Sequence, residues 1–201
     1  MKEANNRSLR GRFEACFLAI TTSLFGCNDT SEQIRDPDTG VNGSFEVVRS
    51  GLPVNWLIYT PATVPDSDFD VLFDTTKHVD GRQSLKFIVR ACTPIGGWKS
   101  PGLAQEYPAQ AGDVFNVSFS VMNHGAEFYV GIGGVGSFEG VEGPSVKTRS
   151  TLRKWRRYDW EYTMPEKMER LRINLNITKP GTFWIDDVRI TRQSGEPVKP
   201  L

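Results

Sequence analysis

The sequence predicts an all-β protein folded as an antiparallel β-sandwich of the jelly-roll type. Nearly every segment after residue 41 alternates apolar and polar side chains with a period of two, which is typical of strands with one buried face. About ten such segments follow one another, separated by turn-forming residues, and none has the periodicity of an amphipathic helix. Two sheets with one apolar face each bury these faces against one another, so the pattern favours a sandwich.

The first 41 residues are predicted to lie outside this domain. Residues 1–26 combine four basic residues with a short apolar stretch, which is typical of a signal peptide. The stretch ends in Leu24-Phe25-Gly26-Cys27, which resembles the box of bacterial lipoproteins whose cysteine is acylated. A plain secretory signal or an anchor helix is the alternative. The polar residues 27–41 are predicted to form a tether, so the protein is expected at the bacterial cell envelope, lipid-anchored through Cys27 or secreted.

The charge and cysteine content exclude several classes of protein. The chain has 24 basic and 24 acidic residues, and loss of residues 1–26 would leave a net charge of about −2. This balance gives no argument for a nucleic acid or another polyanion as a partner, and any membrane contact is expected through the lipid anchor only. Beyond Cys27 the domain has one cysteine, Cys92, so no disulfide framework is predicted. A monomer is expected.

The strands follow from the alternation in chain order. They are predicted over 44–49, 54–60, 84–92, 103–107, 115–121, 128–132, 155–164, 171–177 and 182–190. Loops are predicted over 61–70, 93–102 and 133–143, and Asp80-Gly81 is a turn signal. A phosphate-binding role for the glycine-rich residues 131–136 is not favoured, because no helix follows them. The domain is predicted over 42–192, with a tail over 193–201.

The last predicted strand contains an acid pair, Asp186-Asp187. The apolar set changes parity across the pair, from Phe183 and Ile185 to Val188 and Ile190, which predicts a β-bulge. The two acids could hold a cation, cap a group of backbone amides or lie on a solvated edge. The expected neighbour of this strand is the segment 42–46, so that the start and the end of the domain meet.

Several short motifs occur in an order that resembles a known family. They are Asn42-Gly43-Ser44-Phe45-Glu46, Trp56, Asp80-Gly81 with Ser84-Leu85, Gln105 seven residues before Gly112, Trp155 leading into a strand that ends in Met164-Pro165, and Phe183-Trp184-Ile185-Asp186-Asp187-Val188. Together they resemble the cellulase- and xylanase-associated carbohydrate-binding modules, which have a galactose-binding-domain-like jelly roll. The resemblance covers about residues 41–192.

This resemblance implies a polysaccharide or oligosaccharide ligand and a metal ion. It implies that a β-glucan or xylan chain binds in a groove on one sheet, and that a structural calcium links the first strand to the last. Carried over to this sequence, the calcium ligands would be Glu46 and Asp186, with Asp187 as the alternative. The competing interpretation is that Glu46 caps a turn and no metal is bound.

The residues themselves indicate where a sugar would bind. Pyranose rings stack on exposed aromatic side chains and need amides and charged groups for their hydroxyls. Trp98 lies in a glycine-rich loop without a periodic reason to be buried, and Tyr129 lies opposite the core set of its strand. The same polar side of the alternation holds further candidates: Lys86, Arg90, Arg172, Asn174 and Asn176. A plain solvated sheet face is the alternative.

Catalysis is not predicted. His78 and His124 are the only histidines, and neither has a serine or cysteine partner at a recognisable spacing. Asp159 and Glu161 share an outward face, but their neighbours are those of an ordinary surface. The sequence therefore favours a non-catalytic carbohydrate-binding module. A structural or protein-interaction lipoprotein that uses the same sandwich without a sugar site is the alternative, since exposed aromatic residues are few.

Overall fold

The computed structural model describes residues 33–201. The predicted signal peptide and the lipidation site Cys27 lie outside the described residues. The strands in this part of the chain are β1 (Val48–Arg49), β2 (Leu52–Pro53), β3 (Leu57–Tyr59), β4 (Asp68–Asp74), β5 (Ser84–Ala91), β6 (Gly102–Pro108), β7 (Val114–His124), β8 (Glu127–Val135), β9 (Gly140–Thr148), β10 (Leu152–Thr163), β11 (Arg170–Lys179) and β12 (Gly181–Arg192). Two 3-10 turns, Pro37–Thr39 and Gly97–Lys99, are its helical elements, and no helix within 33–201 has the length and apolar character to cross a bilayer.

Ten of these strands form two five-stranded antiparallel sheets. The back sheet has the order β10-β7-β12-β5-β4, and the front sheet has the order β3-β6-β11-β8-β9. Strands β1 and β2 pair separately as a short ribbon. The predicted antiparallel β-sandwich is confirmed.

The core lies between the two sheets and is built by the predicted alternation. On β7 the four residues Phe115, Val117, Phe119 and Val121 are all buried among the core residues, as the period of two requires. Leu171, Ile173, Leu175 and Ile177 of β11 do the same from the front sheet. The Phe128 and Phe183 rings meet across the interface with their centroids 4.6 Å apart.

The start and the end of the domain meet, as predicted. The amide of Val188 donates to the carbonyl of Gly43 at 3.0 Å, and Phe45 is buried in the core. The bulge is also confirmed, because the pairing of β12 with β7 shifts register between Asp186 and Arg189 and Asp187 has a φ of 53°. The predicted strand 44–49 is mostly irregular, however, with only its last two residues in β1.

The domain begins earlier than predicted. The tether predicted over 27–41 packs on the domain in its described part, residues 33–41. The buried side chain of Asn55 donates to the carbonyls of Asp36 and Gly40, and its backbone amide donates to Ile34 at 2.7 Å. A buried amide needs such partners, so these residues are part of the folded unit. Three strands were also not predicted: the two-residue β2, β4, which begins inside the predicted loop 61–70, and β9, which begins inside the predicted loop 133–143.

Candidate functional site

A groove crosses the outer face of the front sheet. Asn176 of β11, Tyr129 of β8 and Lys147 of β9 lie directly opposite one another in the register, so their side chains share this face. The next row holds Asn174, opposite Ala104 of β6 and Gly131 of β8. Polar side chains therefore alternate with small residues across the floor.

Glycines allow one aromatic ring to lie along the floor of the groove. A Cβ atom at Gly131 would be only 2.2 Å from Oη of Tyr129 and 2.6 Å from its Cζ. The Tyr129 ring thus covers the bare backbone of Gly131 instead of projecting away from the sheet. Burial raises the pKa of Tyr129, and the nearby carboxylate of Glu142 acts in the same direction. The phenol stays neutral and offers a hydrogen bond beside its ring face.

The loop that carries Trp98 forms one wall of the groove. Its indole is 69% exposed, so the prediction that Trp98 is not a core residue is confirmed. The loop is held in place, because Nδ2 of Asn176 donates to the carbonyl of Gly97 at 2.9 Å and Ser100 Oγ donates to the carbonyl of Thr93 at 2.9 Å. Asn176 is largely buried, so its side chain positions the Trp98 loop while it also lines the first cavity, and its predicted contact with a ligand stays a prediction.

The groove consists of two adjoining cavities of about 480 and 440 Å³. Tyr129 and Lys147 line the first, Trp98 and Tyr59 line the second, and Arg172 and Asn174 border both. Three aromatic rings and a set of hydrogen-bonding groups thus line two adjoining cavities that share Gly97, Arg172 and Asn174. Tyr59 and Lys147 were not among the predicted site residues, because neither stands out until the register places it on this face.

The carboxylate of Glu106 fixes two arginine side chains beside the groove. Glu106 of β6 accepts from Nη1 of Arg170 at 2.8 Å and from Nε of Arg172 at 2.7 Å. Arg172 is fixed by this pair yet remains half exposed, so its remaining N–H groups are free to donate to a ligand hydroxyl or carboxylate.

Two predicted site residues lie elsewhere. Lys86 and Arg90 belong to β5 of the back sheet, where Lys86 Nζ is 3.4 Å from Asp74 and Arg90 pairs with Asp68 and Asp70 at 2.6 Å. Placing them on the same face as Tyr129 was wrong. The alternation shows which side of a strand is polar, but it does not show to which of the two sheets the strand belongs.

The acids predicted to bind calcium are occupied by N–H donors. Asp186 is fully buried, and its carboxylate accepts from the amides of Val79, Asp80 and Asp187 at 2.5, 3.0 and 2.7 Å. Burial raises the pKa of Asp186, against the effect of these donors. Glu46 accepts from the amides of Arg82 and Gln83 at 2.7 and 3.0 Å.

Asp187 is likewise committed to cations of the protein. Its two carboxylate oxygens accept from Nη1 of Arg157 at 2.7 Å and from Nε of Arg189 at 2.6 Å. Within residues 33–201 no three acidic, histidine or cysteine side chains lie close enough to hold a metal. Calcium needs several oxygens that do not already accept from donors, so this arrangement does not fit it. The calcium hypothesis stays a prediction that the donor geometry does not support.

The groups considered for catalysis have structural partners. Asp159 accepts from Arg157 at 2.9 Å and Glu161 accepts from Gln193 at 3.0 Å, both on the exposed face of the back sheet. The ring of His124 packs edge-on against Trp184, with centroids 5.0 Å apart. None of these groups lines the groove.

The sandwich is similar to solved carbohydrate-binding modules. A family 4 module gives a TM-score of 0.53 at 17% identity, over 76% of this chain and 98% of the module. The first family 22 xylan-binding domain of Xyn10C from Paenibacillus barcinonensis gives 0.52 at 15% identity, over 79% and 93%. The C-terminal family 22 module of Xyn10B from Clostridium thermocellum gives 0.53 at 12% identity, over 81% and 98%.

These similarities confirm the predicted resemblance at the level of the fold, a jelly-roll β-sandwich of the kind found in carbohydrate-binding modules. No protein-family model matches the chain, and no curated protein matches it in sequence.

Proposed function

We propose that this chain is a non-catalytic module that binds a β-glucan- or xylan-type glycan in the groove of the front sheet. The observation that carries the proposal is that Tyr129 and Trp98 line two adjoining cavities that share Asn174 and Arg172. Flat rings suit the C–H faces of pyranoses, and amide and guanidinium groups suit their hydroxyls. The xylan-binding domain from Paenibacillus barcinonensis, which has the same fold, supports this class of ligand.

Each ring is expected to contribute separately to glycan affinity. In native gels that contain hydroxyethylcellulose, barley β-glucan or arabinoxylan, we expect at least one polymer to retard the wild-type chain. Trp98→Ala and Tyr129→Ala should each weaken that binding about tenfold, since each removes one stacking platform. Leu72→Ala, an exposed residue of the back sheet, is the control and should bind as the wild type does.

The result that contradicts the proposal is equally plain. If none of these polymers retards the chain, or if both aromatic variants bind as tightly as Leu72→Ala, the groove is not a glycan site. Circular dichroism and thermal melts of each variant establish that it is folded, so that lost binding is not lost structure.

Display from the bacterial envelope is a second part of the proposal. It is supported by the signal-like residues 1–26 and the cysteine that follows them. If Cys27 carries lipid, Cys27→Ala should move the protein from the membrane fraction to the soluble fraction. An unchanged membrane fraction for this variant would contradict lipidation at Cys27.

A further inference from the structure

The connection from β9 to β10 concentrates positive charge. Residues 143–158 contain six basic residues and no acidic residue, although the whole chain has a net charge of zero. All six are exposed, and five of them form what we call the basic edge: Lys147, Arg149, Arg153, Lys154 and Arg156. Arg157, the sixth, is committed to Asp159 and Asp187.

In the part of the chain that the structure describes, the charge of the basic edge is not compensated by ion pairs. Within residues 33–201 none of its five members makes a salt bridge. Four other arginines differ in this respect, since Arg157, Arg170, Arg172 and Arg189 are all paired with carboxylates. Uncompensated cations held close together repel one another and attract an anionic partner.

The backbone presents these side chains in a defined way. Leu152 pairs with Asn123 and Arg156 pairs with Val121, so two extra residues of β10 bulge outward from β7 between them. The connection is anchored from below, because the buried side chain of Asn123 donates to the carbonyl of Ser150 at 2.9 Å. The basic edge is therefore a shaped surface and not a loose tail.

The basic edge continues the groove. Lys147 lines the first cavity opposite Tyr129, and β9 is the edge strand of the front sheet. A chain that lies across Asn176 and Tyr129 and leaves the sheet at β9 next meets Lys147 and then Arg149. Trp155, partly exposed, stands among the cations beyond.

We propose that the basic edge extends the glycan site and selects acidic polysaccharides, whose carboxylates it pairs with where the chain leaves the groove. This inference rests on the proposed function. Arginine forks match carboxylates in geometry, and glycans that carry uronate-type groups offer such carboxylates along one chain. Five of the chain's cations lie within residues 147–156, a local concentration that suits a single polymer chain better than the broad contact of a membrane.

The test compares two polymers with the same β-glucan backbone, carboxymethylcellulose and hydroxyethylcellulose, in native affinity gels. The wild type is expected to bind carboxymethylcellulose more tightly, and added salt should reduce this preference. The triple variant Arg153→Gln/Lys154→Gln/Arg156→Gln should lose about tenfold in affinity for carboxymethylcellulose and keep its affinity for hydroxyethylcellulose. The triple variant Arg49→Gln/Arg82→Gln/Lys167→Gln removes the same charge from other exposed positions and should retain the preference.

The outcomes separate this inference from the proposed function. Equal binding of both polymers by the wild type, or an equal loss in both triple variants, overturns the acidic selectivity and leaves neutral glycan binding intact. Cosedimentation with phosphatidylglycerol vesicles that depends on Arg153, Lys154 and Arg156, without any preference for carboxymethylcellulose, overturns it in favour of a lipid surface. Failure of every neutral polymer instead contradicts the proposed function.

Discussion

Replacing Asp186 by alanine is expected to lower the free energy of unfolding by about 3–5 kcal/mol. The carboxylate of Asp186 is fully buried and satisfies three backbone amides, those of Val79, Asp80 and Asp187. Alanine would leave all three amides without this acceptor, and the amide of Asp187 is buried while those of Val79 and Asp80 lie on a partly exposed turn. Urea unfolding followed by tryptophan fluorescence measures the change.

The control for this experiment is Asp159→Ala. Asp159 is exposed and pairs only with the half-exposed Arg157, so its loss should change stability by no more than about 0.5 kcal/mol. Asp186→Asn should fall between the two, because it keeps one acceptor oxygen but turns N–H groups toward the amides. If Asp186→Ala unfolds at the same urea concentration as Asp159→Ala, the three hydrogen bonds do not hold the turn.

The same samples decide the calcium hypothesis. Asp186 and Glu46 accept hydrogen bonds from neighbouring backbone amides of one turn, residues 79–83: Asp186 from residues 79 and 80, and Glu46 from residues 82 and 83. Direct hydrogen bonds thus make the link between the first and last segments that a metal ion would otherwise make. We expect the same melting temperature with excess calcium and with a chelator, and a clear rise with calcium would show that these acids rearrange around an ion.

The sequence was sufficient for features that depend on local pattern. The alternation on β7 follows directly from the period of a strand, so Phe115 to Val121 could be placed inside with no other information. The parity change at Asp186-Asp187 predicted the bulge for the same reason. Trp98 could be predicted as exposed because it lies in a loop without period.

Features that depend on pairing between distant strands could not be obtained in this way. Lys86 and Tyr129 both lie opposite core residues, but β5 pairs with β4 and β12 while β8 pairs with β9 and β11. The residues of β5 and β8 do not themselves indicate which of the two sheets each strand joins. Five of the seven predicted ligand-binding residues therefore line the groove, and the other two, Lys86 and Arg90, lie on the back sheet.

Strand β9 was not predicted because it contains glycine and proline residues, one of which serves packing in this strand. It contains Gly140, Gly143 and Pro144, residues that normally end strands. A Cβ atom at Gly143 would be 2.6 Å from Cε2 of Tyr162, so this glycine makes room for a ring of the back sheet. Proline is tolerated because β9 is an edge strand.

The structural role of the glycines of β8 is also visible only in the structure. Gly131 and Gly133 face the groove, and the absence of side chains there creates its floor and the place for the Tyr129 ring. Read as a sequence, the same glycines were part of a candidate phosphate loop. Close approach of backbone or ring to a bare Cα is a property of neighbours that lie far away in the chain.

Gly43→Ala is expected to destabilise the protein by about 3 kcal/mol or more. A Cβ atom at residue 43 would lie 1.8 Å from the carbonyl oxygen of Val188 and 2.9 Å from its Cβ. The added Cβ atom would meet the backbone of Val188, which cannot rotate away as a side chain can. The amide of Val188 also donates to the carbonyl of Gly43 at 3.0 Å and so holds the two segments together. The added methyl group has no flexible side chain to displace, so the start and the end of the domain must separate.

Gly40→Ala is the matched control, three residues earlier in the chain. No heavy atom lies within 4 Å of a Cβ built there, and its backbone conformation, φ 63° and ψ −140°, costs about 1–3 kcal/mol for alanine. Urea unfolding of both variants separates the clash from the general effect of replacing a glycine. A loss in Gly43→Ala no larger than that in Gly40→Ala would mean that segments 42–46 and 186–188 move apart without cost. Their contact would then not be what closes the sandwich.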